Sequence, residues 1–198
     1  MINTVVDGVF IGQFFGKDCI AALGLVTPII LFGNLIASLL SQGTLLLCSK
    51  YIGMADQRKL CEVFSTSCLF ALIFSLPMIL LCFTFTEQIA DFFSGHHEIY
   101  SSHVANYLYG YWPMLCFLCF LMMFSGLMRL DNDFKRGILS SIFLAIANLV
   151  LDYVSVLFQG GMFGISLAGT GAGVLSFFIL LPHFFKENAL LRFSVKYW

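Results

Sequence analysis

Long apolar stretches separated by short polar segments dominate the chain. Five of them are about 20 residues or longer, which is the length that an α-helix needs to cross a hydrocarbon core of about 30 Å. They occupy positions 20–47, 61–85, 106–128, 137–158 and 164–185. A sixth stretch, 1–15, precedes them and would cover only about 22 Å as a helix. The pattern predicts an all-α polytopic membrane protein in which six transmembrane helices form one bundle, the first of them truncated.

Composition agrees with a membrane protein. Hydrophobic residues make up 60% of the chain and charged residues 11%, whereas soluble domains average about 45–50% and about 25%. Membrane lipid is therefore an expected partner. The formal net charge is −1 and there is no basic run, so nucleic acid is not expected as a partner. The seven cysteines are mostly within apolar stretches. That odd number and placement argue against a disulfide framework.

Basic residues alternate with the predicted spans. Three fall in 50–60, three in 129–136 and three after the last span: Lys50, Arg58, Lys59, Arg129, Lys135, Arg136, Lys186, Arg192 and Lys196. With six spans, these segments all lie on one side of the membrane. The opposite segments, including the polar segment 86–102, contain one basic residue, Lys17. By the positive-inside rule, the basic side and both termini are predicted to be cytoplasmic.

Two acids interrupt the apolar pattern. Asp7 lies in the first stretch and Asp152 in the fifth, where an ionisable group costs about 2.5–3.5 kcal/mol on insertion scales and so indicates a functional site. Asn148 precedes Asp152 by four residues and shares its helix face, and Thr170 lies in the sixth stretch. Two carboxylates, an amide oxygen and a hydroxyl suit a proton or a small cation. The alternative is that each group only hydrogen-bonds a neighbouring helix.

Other polar groups within the spans have structural explanations. We interpret Cys116 and Cys119 as two packed thiols, not as a metal or redox pair. Small residues in the last span allow close helix packing. An aromatic belt at the membrane interface is the expected role of four residues where the fourth span begins: Tyr107, Tyr109, Tyr111 and Trp112.

Five segments, in order along most of the chain, resemble the multidrug and toxic compound extrusion (MATE) transporters. They are VDGVFIG at 6–12, LGLVTPI at 23–29, SKYIGMAD at 49–56, MRLDNDFK at 128–135 and ANLVLDY at 147–153. The family has twelve helices in two six-helix bundles, and the resemblance covers only the first bundle. It implies an N-terminal bundle at 1–185. Residues 186–198 would then be a cytoplasmic tail or the start of a linker to a second bundle.

The resemblance implies a function and a site. The function is antiport in a prokaryotic plasma membrane, not enzymatic catalysis, with small organic substrates expelled against H+ or Na+. No cofactor is implied beyond that coupling ion. In one prokaryotic branch, the cation site takes an Asp, an Asn, an Asp and a Thr at positions that correspond to Asp7, Asn148, Asp152 and Thr170.

Three alternatives remain open. A lipid-linked-saccharide flippase of the same superfamily would share the bundle, but such flippases tend to carry cationic residues in the central cavity, and no Lys or Arg falls inside a predicted span. The chain could also be an inactive fragment, or a half that needs a separate second half or a homodimer. An intramembrane aspartyl protease would place its second Asp after Gly-x-Gly, whereas Leu149-Val150-Leu151 precedes Asp152.

Overall fold

The computed structural model of the chain describes residues 2–185, with side chains from residue 4 onward, and this part is entirely helix and turn. Its seven α-helices are α1 (Ile2–Phe14), α2 (Lys17–Gly53), α3 (Gln57–Thr84), α4 (Thr86–Ser94), α5 (Glu98–Leu130), α6 (Phe134–Leu157) and α7 (Gly161–Leu180). A 3-10 turn, Leu181–Phe185, follows α7. The all-α prediction is confirmed. The predicted tail, 186–198, lies outside the described residues.

Five helices are long and apolar enough to cross a membrane: α2, α3, α5, α6, and α7 together with its 3-10 turn. The helix α1 is apolar but shorter, as the short first apolar stretch predicts. Several helices are longer than the spans that hydropathy outlines. With 37 residues, α2 is about 55 Å long and extends beyond a core of about 30 Å. The segments between the helices are correspondingly shorter than predicted.

The segment 86–102, expected to be a polar loop, contains the helix α4 and the start of α5. The α4 helix is amphipathic: Ala90 is fully buried, whereas the side chain of Phe92 is 77% exposed. Thr86, its first residue, donates a hydrogen bond to the carbonyl of Cys82 (2.7 Å) and accepts one from Trp112 Nε1 (2.8 Å). The bond from Trp112, which belongs to α5, holds α4 against that helix.

The central helix of the bundle is α5, which packs against α2 on one side and α7 on the other. Buried residues of α2 recur every three or four positions and form one continuous seam: Cys19, Ala22, Leu23, Val26, Ile30, Gly33, Ala37, Ser41, Thr44 and Cys48. At Gly33, a Cβ would lie 2.6 Å from Leu115 Cδ2. With glycine at this position, the Leu115 side chain packs directly against the backbone of α2.

Small residues also bring α7 close to its neighbours, as the sequence predicts. A Cβ on Gly110 of α5 would lie 2.9 Å from both Leu167 N and Phe163 O of α7. On the α6 side, a Cβ on Gly169 would lie 3.6 Å from Asn148 Nδ2, and one on Gly171 would lie 3.3 Å from Leu151 Cδ1. The backbones are thus near enough for polar groups on three helices to meet.

The aromatic-belt prediction is wrong for three of its four residues. Tyr107, Tyr111 and Trp112 are buried within the bundle, and only Tyr109 remains partly exposed. For two of them, protein groups take the place of interfacial water: Trp112 donates to Thr86, and Tyr107 donates to the acid cluster described below.

A buried histidine fastens the 3-10 turn to the α5–α6 connection. His183 Nε2 lies 2.6 Å from Asp131 Oδ2, and His183 Nδ1 lies 2.9 Å from Asp133 Oδ2. Asp133 also pairs with Arg136 Nε at 3.0 Å. A neutral imidazole has only one N–H, so both contacts are hydrogen bonds only when the ring, or one of the carboxyls, carries an additional proton. We call this group the His183 clamp.

Candidate functional site

The two acids singled out in the sequence are buried and adjacent. Asp7 on α1 is 6% exposed and Asp152 on α6 is fully buried. The carboxylate of Asp7 lies beside the side chains of both Asp152 and Asn148. We call Asp7, Asn148 and Asp152 the acid cluster. Two ionised carboxylates this close in a low-dielectric setting would repel each other, so the cluster favours a bound proton or cation.

The α6 helix presents its polar residues inward and its apolar residues outward. Its buried residues are Gly137, Ser140, Asn148 and Asp152, whereas Leu149, Val150 and Tyr153 are about half exposed. Lipid tails are as apolar as leucine, so the apolar side of a membrane helix faces lipid at little cost. The four-residue spacing of Asn148 and Asp152 then directs both towards α1.

Tyr107 is a member of the site that the sequence did not reveal. Its hydroxyl donates a hydrogen bond to Asp7 Oδ2 at 3.3 Å, and its side chain is 3% exposed. One turn further along α5, Tyr111 is also buried, and its ring lies 6.4 Å from that of Tyr107. The sequence indicated Tyr107 only through the i, i+4 spacing of two tyrosines at the start of a span. Tyrosines of an aromatic belt at the membrane interface can have the same spacing, so the sequence does not distinguish the two roles.

The acid cluster contains polar atoms without hydrogen-bond partners among the described residues. They are Asp7 Oδ1, both carboxylate oxygens of Asp152, and Asn148 Oδ1 and Nδ2. A buried group without a partner costs about 1–3 kcal/mol, and a charged one costs more. Oxygen atoms of this kind are the ligands that a small hard cation prefers, so the residues present fit a site for H+ or Na+.

Thr170 lies at the border of the acid cluster. Its hydroxyl donates to the carbonyl of Gly110 on α5 at 2.7 Å, and it lines the same cavity as Asp7 and Asn148. Because its hydrogen is engaged with α5, its oxygen lone pairs are the part that an ion could contact. The structure therefore brings three of the four residues together and places the fourth beside them. Their role in cation binding stays a prediction.

A cavity of about 520 Å³ opens at the acid cluster and is walled by α1, α2, α5, α6 and α7. Asn34, Ser38 and Gln42 line it from α2, and Ser125 and Arg129 line it from α5. The sequence placed Arg129 in a polar segment outside the spans. In the structure α5 continues to Leu130, so the guanidinium side chain belongs to the cavity wall.

The cysteines do not form a metal centre within residues 2–185, where no group of three or more metal-binding side chains occurs. All seven thiols are free. Cys119 is buried, and Cys116 Sγ accepts a hydrogen bond from Ser75 Oγ at 3.3 Å. The Cys116–Cys119 pair therefore has the packing environment that the sequence predicts.

Comparison with known proteins gives a family. A family model described as MatE matches residues 1–154. A solved multidrug resistance MATE transporter of the MOP superfamily, in an inward-facing conformation, aligns with a TM-score of 0.91 at 19% identity, over 100% of this chain and 45% of the other. A MATE structure in the straight conformation aligns with a TM-score of 0.87 at 20% identity, over 98% and 43%.

A third solved structure belongs to a transporter whose description suggests a different function. It is a MOP superfamily transporter from Pyrococcus furiosus whose binding pocket is described as having reverse polarity, suggesting a different function. It aligns with a TM-score of 0.86 at 21% identity, over 98% of this chain and 43% of the other. The chain thus spans less than half the length of these transporters. No curated protein matches.

Proposed function

Because the chain belongs to the MatE family, we propose that it forms one six-helix half of an antiporter that exports small organic compounds in exchange for H+ or Na+. The transporter fold supports transport in general. The acid cluster supports ion coupling in particular. Small organic substrates would occupy the cavity between this bundle and a second one. The candidates for that second bundle are a segment joined through the linker that residues 186–198 would begin, a separate six-helix half, and another copy of this chain.

The observation that carries this proposal is the buried set of unsatisfied oxygens on Asp7, Asn148 and Asp152. A purely structural role would leave such atoms paired with neighbouring helices. Here they converge across the α1–α6 contact, where one H+ or Na+ would offset part of the charge of the two acids, reduce their repulsion and stabilise the contact. Release of the ion would restore the repulsion.

The difference between the ion-bound and ion-free acid cluster would couple the ion to the position of the helices. The ion binds one arrangement of α1 and α6 more tightly than the other, and an ion gradient shifts the equilibrium by that differential affinity. The helix α1 is short, and its polar contacts to the bundle include the bond from Tyr107 to Asp7. It is therefore the element whose position the ion would control, and the cavity wall next to it would change shape.

A flippase for lipid-linked saccharides is the second candidate. One observation favours it: Arg129 lies on the wall of the cavity, where flippases of the superfamily would contact an anionic lipid headgroup. The ion-coupling step at Asp7 and Asp152 is the same in both candidates. Only the substrate differs between them.

The coupling ion can be identified chemically. Dicyclohexylcarbodiimide modifies protonated carboxyls in apolar surroundings, so we expect it to label Asp152 or Asp7 in the purified chain. Na+ added at constant pH should block labelling if Na+ is the ion, whereas only a rise in pH should block it if the ion is H+. Labelling that neither condition changes would contradict the proposal.

Asp152→Asn tests whether the acid couples transport. In proteoliposomes that contain the chain with its second bundle, this variant should lose gradient-driven export while remaining inserted. The substitution keeps the shape of the side chain and removes its charge. Replacing a buried acid that had only a packing role would be neutral or stabilising. The matched control is Asp18→Asn, which removes an exposed acid at the start of α2 and should transport normally.

A further inference from the structure

We propose that a groove between α2 and α3 binds the headgroup of phosphatidylethanolamine, a phospholipid that carries a phosphate and a primary ammonium. The groove has a volume of about 370 Å³ and lies at the end of the two helices that is predicted to be cytoplasmic. Its walls include two opposite charges, two hydroxyls, an aromatic ring and an aliphatic side chain: Lys59, Glu62, Thr66, Ser67, Tyr51 and Leu47. We call it the α2–α3 groove. The inference does not rest on the proposed transport function.

The phosphate of the lipid would bind at Lys59. Lys50 Nζ and Lys59 Nζ each lie 5.8 Å from the centroid of the Tyr51 ring, so one ring holds two cations beside the groove by cation–π attraction. Asp56 caps α3, since its Oδ1 accepts from the backbone N–H of Lys59 at 3.1 Å. Its Oδ2 is 3.9 Å from Lys59 Nζ, which is too far for a hydrogen bond. The ammonium donors of Lys59 therefore remain available to a phosphate oxygen, as in other basic pockets that hold lipid headgroups.

The ammonium of the lipid would bind at Glu62. This exposed side chain lies one turn after Lys59 on α3 and lines the same groove. Within residues 4–185, no ion pair involves Glu62. A carboxylate repels a headgroup that is only anionic, whereas it accepts charge-assisted hydrogen bonds from a primary ammonium. A choline headgroup has no N–H to donate. The two charges together therefore select a headgroup that has both a phosphate and N–H donors.

An apolar strip continues from the groove along α3 and would receive an acyl chain. Phe70 and Phe74 follow Thr66 at four-residue intervals and so lie on the same face of the helix. They are 57% and 45% exposed, and their rings stack with centroids 6.1 Å apart. This face is charged at the end of the span and apolar towards its middle. A phospholipid has the same order of polarity from its headgroup to its acyl chains.

The test is native mass spectrometry of the purified, delipidated chain in detergent. The chain is titrated separately with phosphatidylethanolamine, phosphatidylglycerol and phosphatidylcholine that have the same acyl chains, and the fraction that retains lipid is measured. We expect phosphatidylethanolamine to bind about five-fold more tightly than either of the others. That factor is the upper end of what one exposed ion pair contributes.

Two substitutions assign the two charges. Lys59→Gln should weaken the binding of phosphatidylethanolamine and phosphatidylglycerol about equally, because both headgroups contain the phosphate. Glu62→Gln should weaken only the binding of phosphatidylethanolamine, so the preference over phosphatidylglycerol should disappear. A groove that lipid merely fills would not distinguish the two headgroups in this way.

Lys135→Gln and Glu98→Gln are the matched controls, since both residues are exposed and neither lines the groove. Both variants should keep the lipid preference of the unmodified chain. Equal binding of the three lipids, absence of retained phosphatidylethanolamine, or equal losses in the control variants would overturn the inference. So would a lipid-free dimer that Lys59→Gln dissociates, because a second copy would then occupy the groove. The carbodiimide test probes the acid cluster and not this groove, so the two proposals fail separately.

Discussion

Tyr107 controls how the acid cluster is held, because among the described residues it is the side chain whose hydroxyl donates to Asp7. Tyr107→Phe removes that hydroxyl and keeps the ring. We expect the variant to insert normally and to need a pH about one unit higher to block carbodiimide labelling, because a hydrogen bond donated to a carboxylate stabilises its ionised form. The measurement is the pH that protects the cluster from carbodiimide labelling.

Tyr109→Phe is the control for this substitution. Tyr109 is two residues further along the same helix, is partly exposed, and packs against the ring of Phe83 at 6.2 Å. It should leave protection of the cluster unchanged. An identical protection curve for Tyr107→Phe and the unmodified chain would show that the hydroxyl does not hold Asp7 in the ion-binding geometry.

The acids could be predicted from the sequence and the tyrosine could not, for a physical reason. An aspartate inside an apolar stretch has a large insertion cost, so its presence alone indicates a partner. A tyrosine near the end of a span is satisfied equally well by interfacial water or by a buried acceptor. The position of Arg129 was also missed, because hydropathy locates the apolar part of a helix and does not show how far its last turn extends.

Among the helices, the contact between α5 and α7 depends most directly on one residue. Gly110→Ala would place a methyl group 2.9 Å from the backbone atoms Leu167 N and Phe163 O, and backbone atoms cannot move aside as a flexible side chain can. We expect about 1–3 kcal/mol of destabilisation, together with displacement of Thr170, which donates to the carbonyl of Gly110. The midpoint of thermal unfolding in detergent measures the stability.

Gly43→Ala provides the comparison. A Cβ at this position in α2 would meet no atom within 4 Å, so alanine should be neutral or stabilise the helix by up to about 1 kcal/mol. If both variants unfold at the temperature of the unmodified chain, the close approach of α5 and α7 is not required for stability.

The His183 clamp joins the 3-10 turn to the connection between α5 and α6. His183→Ala would leave Asp131 and Asp133 without their imidazole partner, and removing one partner of a buried pair costs about 3 kcal/mol. We expect a lower midpoint of thermal unfolding.

His97→Ala is the matched control, since His97 is exposed just before α5 and should not alter the midpoint. Equal midpoints for His183→Ala and the unmodified chain would mean that the clamp contributes nothing to stability. The clamp itself was not predictable from the sequence, because it joins residues 50 or more positions apart. The helix α4 was missed because nine residues are too few for a hydropathy window.

At the scale of the whole molecule, the distribution of Lys and Arg predicts that the α2–α3 connection faces the cytoplasm and the α4–α5 connection faces outward. Met54→Cys and His97→Cys place thiols at exposed positions on these two connections. In intact cells, a membrane-impermeant maleimide should label His97→Cys, and should label Met54→Cys only after the membrane is opened. The unmodified chain, whose seven thiols are mostly buried, gives the background. Labelling of both variants from one side would contradict the predicted topology.

The polar face of α2 has a consequence for the life of the chain in a cell. Hydrocarbon tails cannot hydrogen-bond the hydroxyl of Ser38, the amide of Gln42 or the amide oxygen of Asn34, so a bundle surrounded only by lipid keeps a polar strip on its surface. We expect the quality-control proteases of the membrane to recognise such a strip. The lifetime of the chain would then depend on how soon water or another bundle covers this face.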